Sequence, residues 1–250
     1  MCAGLFPASA LSTCFWQSKV SATGRSPLQP APEKPIVCYV TDRSAFSAET
    51  CVRSVLERIG VAAEAGADWV QIREKDLGAR FLLGLVRDAI DVARRVSRGR
   101  TRVIVNDRLD VAIAEGAFGV HLGHASVPVR EAIRWCRDGG APKEFVVGVS
   151  CHSLDDARAS EAAGADYVFF GPVFDSPSKR EFGSPQGVEK LREVTRALRI
   201  PVIAIGGVDV NSSNECLIAG ARGVAAIRQF QDSVAADLAR KFVEAVHRGI

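Results

Sequence analysis

Polar side chains recur at the ends of short apolar runs in this chain, in types and spacings that suit phosphorylated anions. In the run Val70-Gln-Ile-Arg-Glu-Lys75, the residues Gln71, Arg73 and Lys75 alternate. On an extended strand alternate residues share a face, so an amide and two cations point the same way. That set suits a polyanion such as pyrophosphate. Asn106 and Asp107 close the run that starts at Val103. An aspartate is an oxygen ligand of the kind Mg2+ takes together with phosphate and water, and Asn106 can donate to a phosphate oxygen. The same two residues are also leading N-caps for a helix beginning at Leu109, so both readings stand at the level of sequence.

Further along, Ser150 and His152 stand at the end of Val146-Val-Gly-Val-Ser-Cys-His152. Ser150 can contact a phosphate, and His152 is the histidine best placed for acid–base work. Ser176, Ser178 and Lys179 bring two hydroxyls and a cation to one loop, stiffened by Pro177. Gly206 and Gly207 would let backbone N–H groups approach an anion, and Arg228 ends the last apolar run. His121, inside a short apolar run, reads as a core histidine, and Cys151 as a small core residue. His121 and His124 lie three apart on an extended segment, face opposite ways and do not suit zinc.

Eight strand-like stretches position these groups: 36–41, 69–73, 103–106, 120–122, 145–150, 166–170, 201–206 and 224–227. Helical stretches alternate with them. The residues 79–97 read as an amphipathic helix with Phe81, Leu82, Leu85, Val86, Ile90, Val92 and Ala93 on its buried side. A second helix is expected over 109–114, and Ser153 with Asp156 forms a capping-box pattern at the start of another. A motif of the form Ala-Gly-Ala precedes several strands, at 65–67, 163–165 and 219–221. These copies lie roughly 50 residues or a multiple apart, about two strand–helix units. Eight alternating units predict an α/β chain folded as one (β/α)8 barrel. In that fold, loops at the carboxyl ends of the strands carry the chemistry, and the loops after strands seven and eight commonly hold phosphate.

The bulk composition narrows the field. Net charge is +3 with no basic run, so no nucleic-acid partner is indicated. No apolar run reaches the ~20 residues needed to cross a bilayer, so no membrane partner is expected. Seven cysteines, odd in number and without CxxC spacing, argue against disulfides and structural zinc and fit a cytoplasmic location. The chain divides into a flexible tail and linker, 1–35, rich in Ala, Ser, Pro and Gly, and a barrel domain, 36–250.

From about Ile36 to Val246 the chain resembles the thiamine phosphate synthase / thiazole tautomerase family. The resemblance rests on Tyr39-Val-Thr-Asp42, Val70-Gln-Ile-Arg-Glu-Lys75, Val105-Asn-Asp107, Gly119-Val-His-Leu-Gly123, Gly148-Val-Ser-Cys-His152, Gly164-Ala-Asp-Tyr-Val168, Gly171-Pro-Val-Phe174, Ser176-Pro-Ser-Lys179 and Ile203-Ala-Ile-Gly-Gly207. It implies a TIM barrel acting on thiamine precursors. In the synthase branch, an aminopyrimidine-methyl pyrophosphate loses pyrophosphate and a thiazole phosphate takes the resulting cation, with Mg2+ as cofactor. The resemblance then implies that Gln71, Arg73 and Lys75 hold the pyrimidine and pyrophosphate. Asn106, Ser150 and Lys179 would grip the leaving group, and Asp107 would bind Mg2+. Ser176, Ser178, Gly206, Gly207 and Arg228 would hold the thiazole and its phosphate.

This chain departs from the family pattern in three places. The loop Gly123-His-Ala-Ser126 has serine where the family has a second Mg2+-binding aspartate. Arg228 replaces a family serine, and Ser176 and Ser178 replace threonines. His152 coincides with a histidine implicated in the tautomerase branch, which isomerises a thiazole carboxylate phosphate by proton transfer. Synthase, tautomerase and a non-catalytic phosphate-binding regulatory barrel remain as alternatives, and homo-oligomerisation stays open.

Overall fold

Eight parallel strands, each hydrogen-bonded to the next and the last to the first, form a closed barrel. The computed structural model describes residues 34–175, 185–232 and 235–249. The strands are β1 (Ile36–Val40), β2 (Trp69–Ile72), β3 (Arg102–Asn106), β4 (Gly119–Leu122), β5 (Val146–Cys151), β6 (Tyr167–Phe170), β7 (Val202–Ile205) and β8 (Gly223–Ala226). The helices described around them are α1 (Cys51–Ala65), α2 (Ala79–Ser97), α3 (Leu109–Ala114), α4 (Val129–Trp135), α5 (Leu154–Ala163), α6 (Gly187–Ala197), α7 (Ser213–Ile218), α8 (Arg228–Gln231) and α9 (Ala235–Arg248). No helix among the described residues is long and apolar enough to cross a membrane. Of the predicted tail, only Lys34 and Pro35 fall within the described residues.

Alternation along the strands sorts side chains into two cores. Val37, Val70, Val103, Val105, Val120, Val147, Val168 and Val224 point outward and meet Ile59, Leu85, Val86, Leu191 and Phe242 from the helices. Each such burial stabilises the fold by about 2 kcal/mol. Ile36, Cys38, Val40, Trp69, Ile104, Val146, Tyr167, Phe169, Ile203 and Ala225 fill the barrel interior. The Tyr167 ring fits because a glycine faces it. A Cβ on Gly148 would stand 2.0 Å from the Tyr167 ring, so only glycine at this position lets Tyr167 cross the barrel.

The helix over 79–97 and that over 109–114 have the predicted limits. Phe81 does not lie on the buried side: it is 75% exposed. The buried stripe begins at Leu82, and an adjacent helical residue is turned about 100° away. Four strands, β1, β2, β6 and β7, are shorter than expected. β2 stops at Ile72, before Arg73. β7 stops at Ile205, because Gly206 takes φ 93° and leaves the extended region.

The Ala-Gly-Ala repeats have a structural role. Gly66 and Gly164 end α1 and α5 in left-handed conformations, and an aspartate follows two residues later. Asp68 accepts the Val37 N–H at 2.9 Å, and Asp166 accepts the Val147 N–H at 2.8 Å. Each carboxylate thereby ties its strand to the preceding one at the amino end of the barrel. Arg137 grips both Asp166 oxygens at 2.7 Å. Lys34 and His247 reach Asp68 at 2.9 and 3.1 Å. Burial opposes ionisation of Asp68, but the bonds from His247, Val37 and Lys34 outweigh it and hold the carboxyl below its usual range. This end of the barrel is built for stability, which leaves the carboxyl end for chemistry.

Candidate active site

At the carboxyl end of the barrel, a chain of hydrogen bonds runs across three neighbouring strands. Gln71, buried near the end of β2, donates through Nε2 to Asn106 Oδ1 at 2.7 Å. Asn106, the last residue of β3, donates through Nδ2 to Asp107 Oδ2 at 2.6 Å. Asp107 adopts φ 62° and its N–H bonds to the His121 carbonyl at 2.9 Å, so its side chain turns toward the loop after β4. There Asp107 Oδ1 accepts from the Gly123 N–H at 3.1 Å and from the Ser126 hydroxyl. Neither Asn106 nor Asp107 caps α3, whose N-cap is Arg108 without a side-chain bond. The capping alternative is therefore not the one this fold uses.

The relay has a fixed direction. A carboxylate only accepts, so Asn106 must turn its NH2 toward Asp107 and its oxygen toward Gln71. Gln71 then spends an N–H on Asn106 and presents Oε1 elsewhere. That oxygen is buried and has no hydrogen-bond partner among the described residues. A buried acceptor left unpaired costs about 1–3 kcal/mol, which a ligand donor would recover.

The loops after β1 and β2 are clasped around a buried carboxylate that the sequence did not single out. Glu74 accepts from Thr41 Oγ1 at 2.5 Å and from the Arg43 N–H at 3.1 Å, and Thr41 Oγ1 accepts the Arg73 N–H at 3.0 Å. Burial pushes the Glu74 carboxyl up, and the bonds from Thr41 and Arg43 only partly oppose this. Asp42 caps the short 3-10 turn Arg43–Ala45 by accepting the Ser44 N–H. The clasp fixes the backbone of Arg73, whose side chain is half-buried, while Lys75 is exposed beyond it.

A second cluster stands beside the relay. His121, buried on β4, bonds through Nε2 to Ser150 Oγ at 2.8 Å and through Nδ1 to Tyr167 OH at 3.1 Å. Its ring also packs on Phe169, with centroids 4.3 Å apart. Burial lowers its pKa from 6.5 to about 3, the Arg73 cation adds to this, and Asp107 opposes it. His121 is thus a core histidine, as the sequence indicates, but one that touches a site residue. Cys151 is buried and its thiol is pushed up to about 11, so it is no nucleophile.

The other expected residues are distributed around this centre. His152 is exposed, and its Nδ1 bonds to the Gly171 carbonyl at 2.6 Å. β5 ends at Cys151, one residue before this ring. The ring lines a cavity of about 390 Å³ with Ser153, Phe170, Gln186, Lys190 and Glu193, between α5 and α6. Ser153 caps α5 through Asp156 as predicted. Gly206 and Gly207 have φ 93° and 69°, and Cβ atoms there would stand 2.5 Å from Pro172 Cα and Asp175 O. The close approach they permit is that of the segment after β6, whose Phe174 N–H bonds to Gly206 O at 2.9 Å. Arg228 begins α8 and is exposed. Its charge reaches Asp209, in the loop after β7. Ser176, Ser178 and Lys179 lie outside the described residues.

The chain is similar to known proteins in sequence and in fold. Residues 37–230 match a family model described as thiamine monophosphate synthase. A putative thiamine-phosphate synthase of Geobacter sulfurreducens is 42% identical over 175 residues, 70% of this chain and 78% of that protein. A thiamine-phosphate synthase of Albidiferax ferrireducens is 36% identical over 198 residues, covering 78% and 87% of the two chains. Among solved structures, a thiamine phosphate pyrophosphorylase from Pyrococcus furiosus superposes with a TM-score of 0.73 at 27% identity, covering 86% of this chain and 96% of that one.

Proposed function

The chain belongs to the thiamine monophosphate synthase family, and from that premise we propose that it couples an aminopyrimidine-methyl pyrophosphate to a thiazole phosphate, releasing pyrophosphate and forming thiamine phosphate. The observation that carries the reading is the unpaired Gln71 Oε1, buried where β2 ends and aligned by Asn106 and Asp107. It is an acceptor in want of a donor, and the amino group of an aminopyrimidine supplies one. Arg73 and Lys75 follow in the loop after β2, where the attached pyrophosphate would lie.

The reaction divides into bond breaking and bond making. The C–O bond to pyrophosphate breaks with its electron pair leaving on oxygen, and the thiazole nitrogen then gives its lone pair to the pyrimidine methylene carbon. No base is required; the leaving oxygens need stabilisation, which cations and hydroxyl donors provide. Arg73, Lys75, Asn106 and Ser150 serve that role here, with Lys179 assigned to it by the family pattern. Arg228 and the loop after β7 are assigned to the thiazole phosphate.

Asp107 accepts three hydrogen bonds, leaving about one of a carboxylate's four lone-pair positions open. One carboxylate with substrate phosphates and water is a usual donor set for Mg2+, so Asp107 fits as the single protein carboxylate on the ion. When bound, Mg2+ neutralises charge building on the leaving pyrophosphate. Ser126, in place of a second carboxylate, instead steadies Asp107. The purified full chain, given both precursors, should form thiamine phosphate and pyrophosphate in equal amounts and only with Mg2+. Isomerisation of a thiazole carboxylate phosphate without any coupling would sink the proposal.

A further inference from the structure

Ser150 has a hydroxyl that can either give or receive a hydrogen bond, and the residues behind it decide which. His121 and Tyr167 lie on β4 and β6, each in register with Gly148 of the strand between them. Since Gly148 has no side chain, the Tyr167 ring crosses β5 and its hydroxyl meets His121 Nδ1 at 3.1 Å. On the other side of the imidazole, Nε2 meets Ser150 Oγ at 2.8 Å. The tyrosine and the histidine are buried.

We propose that Tyr167, His121 and Ser150 form a one-way hydrogen-bond relay that holds Ser150 as a donor toward the barrel mouth, making Tyr167 and His121 positioning residues for the anionic oxygen that Ser150 grips. This rests on the reading above, in which that oxygen belongs to the leaving pyrophosphate. Among the described residues, His121 is the hydrogen-bond partner of the Tyr167 hydroxyl. A buried phenol proton without a partner is costly, so Tyr167 donates and Nδ1 accepts. A neutral imidazole carries one proton, which must then sit on Nε2. Nε2–H donates to Ser150 Oγ, and the serine proton is left for a third partner. An anion offers only acceptors, so this polarity suits it. The reverse tautomer orphans the phenol proton and spends the serine proton on His121, turning oxygen lone pairs toward the anion.

The first test needs no variant and no substrate: imidazole 15N spectroscopy of the full chain at neutral pH. His121 is expected as the Nε2–H tautomer; an Nδ1–H tautomer overturns the relay. The second test is calorimetric binding of inorganic pyrophosphate with Mg2+, alongside coupling kinetics. Tyr167→Phe should weaken pyrophosphate binding and lower kcat by about tenfold, the value of one hydrogen bond to a charged group, with KM for the thiazole phosphate unchanged. In a Ser150→Ala background the same change should have no further effect. His121→Gln keeps an N–H donor near Nε2 and should retain most activity, whereas His121→Leu should not. A Tyr167→Phe penalty of equal size with and without Ser150 means a packing role and overturns the proposal. A wild-type chain that fails to couple the precursors refutes the functional reading instead, while the tautomer and the pyrophosphate titration still test the relay.

Discussion

Acidification from pH 7 to pH 5 should destabilise this barrel by about 2 kcal/mol through His121 alone. The ring is buried between Tyr167 and Ser150, and burial, reinforced by Arg73 and opposed by Asp107, moves its pKa from 6.5 to about 3. The folded-state value is depressed. As pH falls below 6.5 the unfolded chain takes up a proton that the folded chain refuses. The stability is therefore present above pH 6.5 and is lost as pH falls toward 3. With those two values, the proton-linkage relation gives about 2 kcal/mol at pH 5 and about 4 kcal/mol near pH 3. Carboxylates and the other histidines titrate in the same range, so the measurement is a difference of differences. Urea unfolding of wild type and His121→Gln at pH 7 and pH 5 isolates the one ring. Wild type should lose about 2 kcal/mol more than the variant on acidification. An equal loss in both proteins would mean that the folded state protonates His121 as readily as the unfolded chain does, against the depressed value.

Other perturbations probe the relay and the interior. Gln71→Leu removes the orphaned acceptor and should raise KM for the aminopyrimidine substrate by about tenfold with little change in KM for the thiazole phosphate; equal changes in both would detach Gln71 from the pyrimidine. Ser126→Asp replaces a donor to Asp107 with a like charge. Without Mg2+ it should cost about 1 kcal/mol of stability, and the Mg2+ concentration for half-maximal coupling should drop by about tenfold as the ion gains a second carboxylate; an unchanged Mg2+ requirement would exclude an ion at Asp107. Gly148→Ala forces a Cβ to within 2.0 Å of the Tyr167 ring and should cost about 1–3 kcal/mol in urea unfolding; an unaltered midpoint would mean that the ring moves freely.

The barrel was readable because parallel strands covered on both faces write continuous apolar runs, each ended by a polar loop. The amphipathic pattern over 79–97 returned α2 with its limits, and Ser153 with Asp156 marked the start of α5. Where a residue type serves two purposes, sequence left the choice open. Asn and Asp at 106 and 107 suit a helix cap and a binding site equally, and only the fold shows that neither caps α3. His152 lies one residue beyond β5 and lines a cavity between α5 and α6, which its position in the sequence did not show. Partners distant in sequence were not legible at all. Glu74 finds Thr41 across 33 residues, and Tyr167 finds His121 across 46. The one available sign for His121 was its phase with Gly119 and Gly123, which puts it inside the barrel.

The proposed coupling takes place at the mouth where Gln71, Asn106 and Asp107 are joined. The most direct measurement is thiamine phosphate formation by purified wild type and Asp107→Ala across a Mg2+ titration, with urea unfolding to show that both are folded. Wild type should form product with saturable Mg2+ dependence, and Asp107→Ala should lose the product or require far more Mg2+. Product formation by Asp107→Ala with an unaltered Mg2+ requirement would contradict the account.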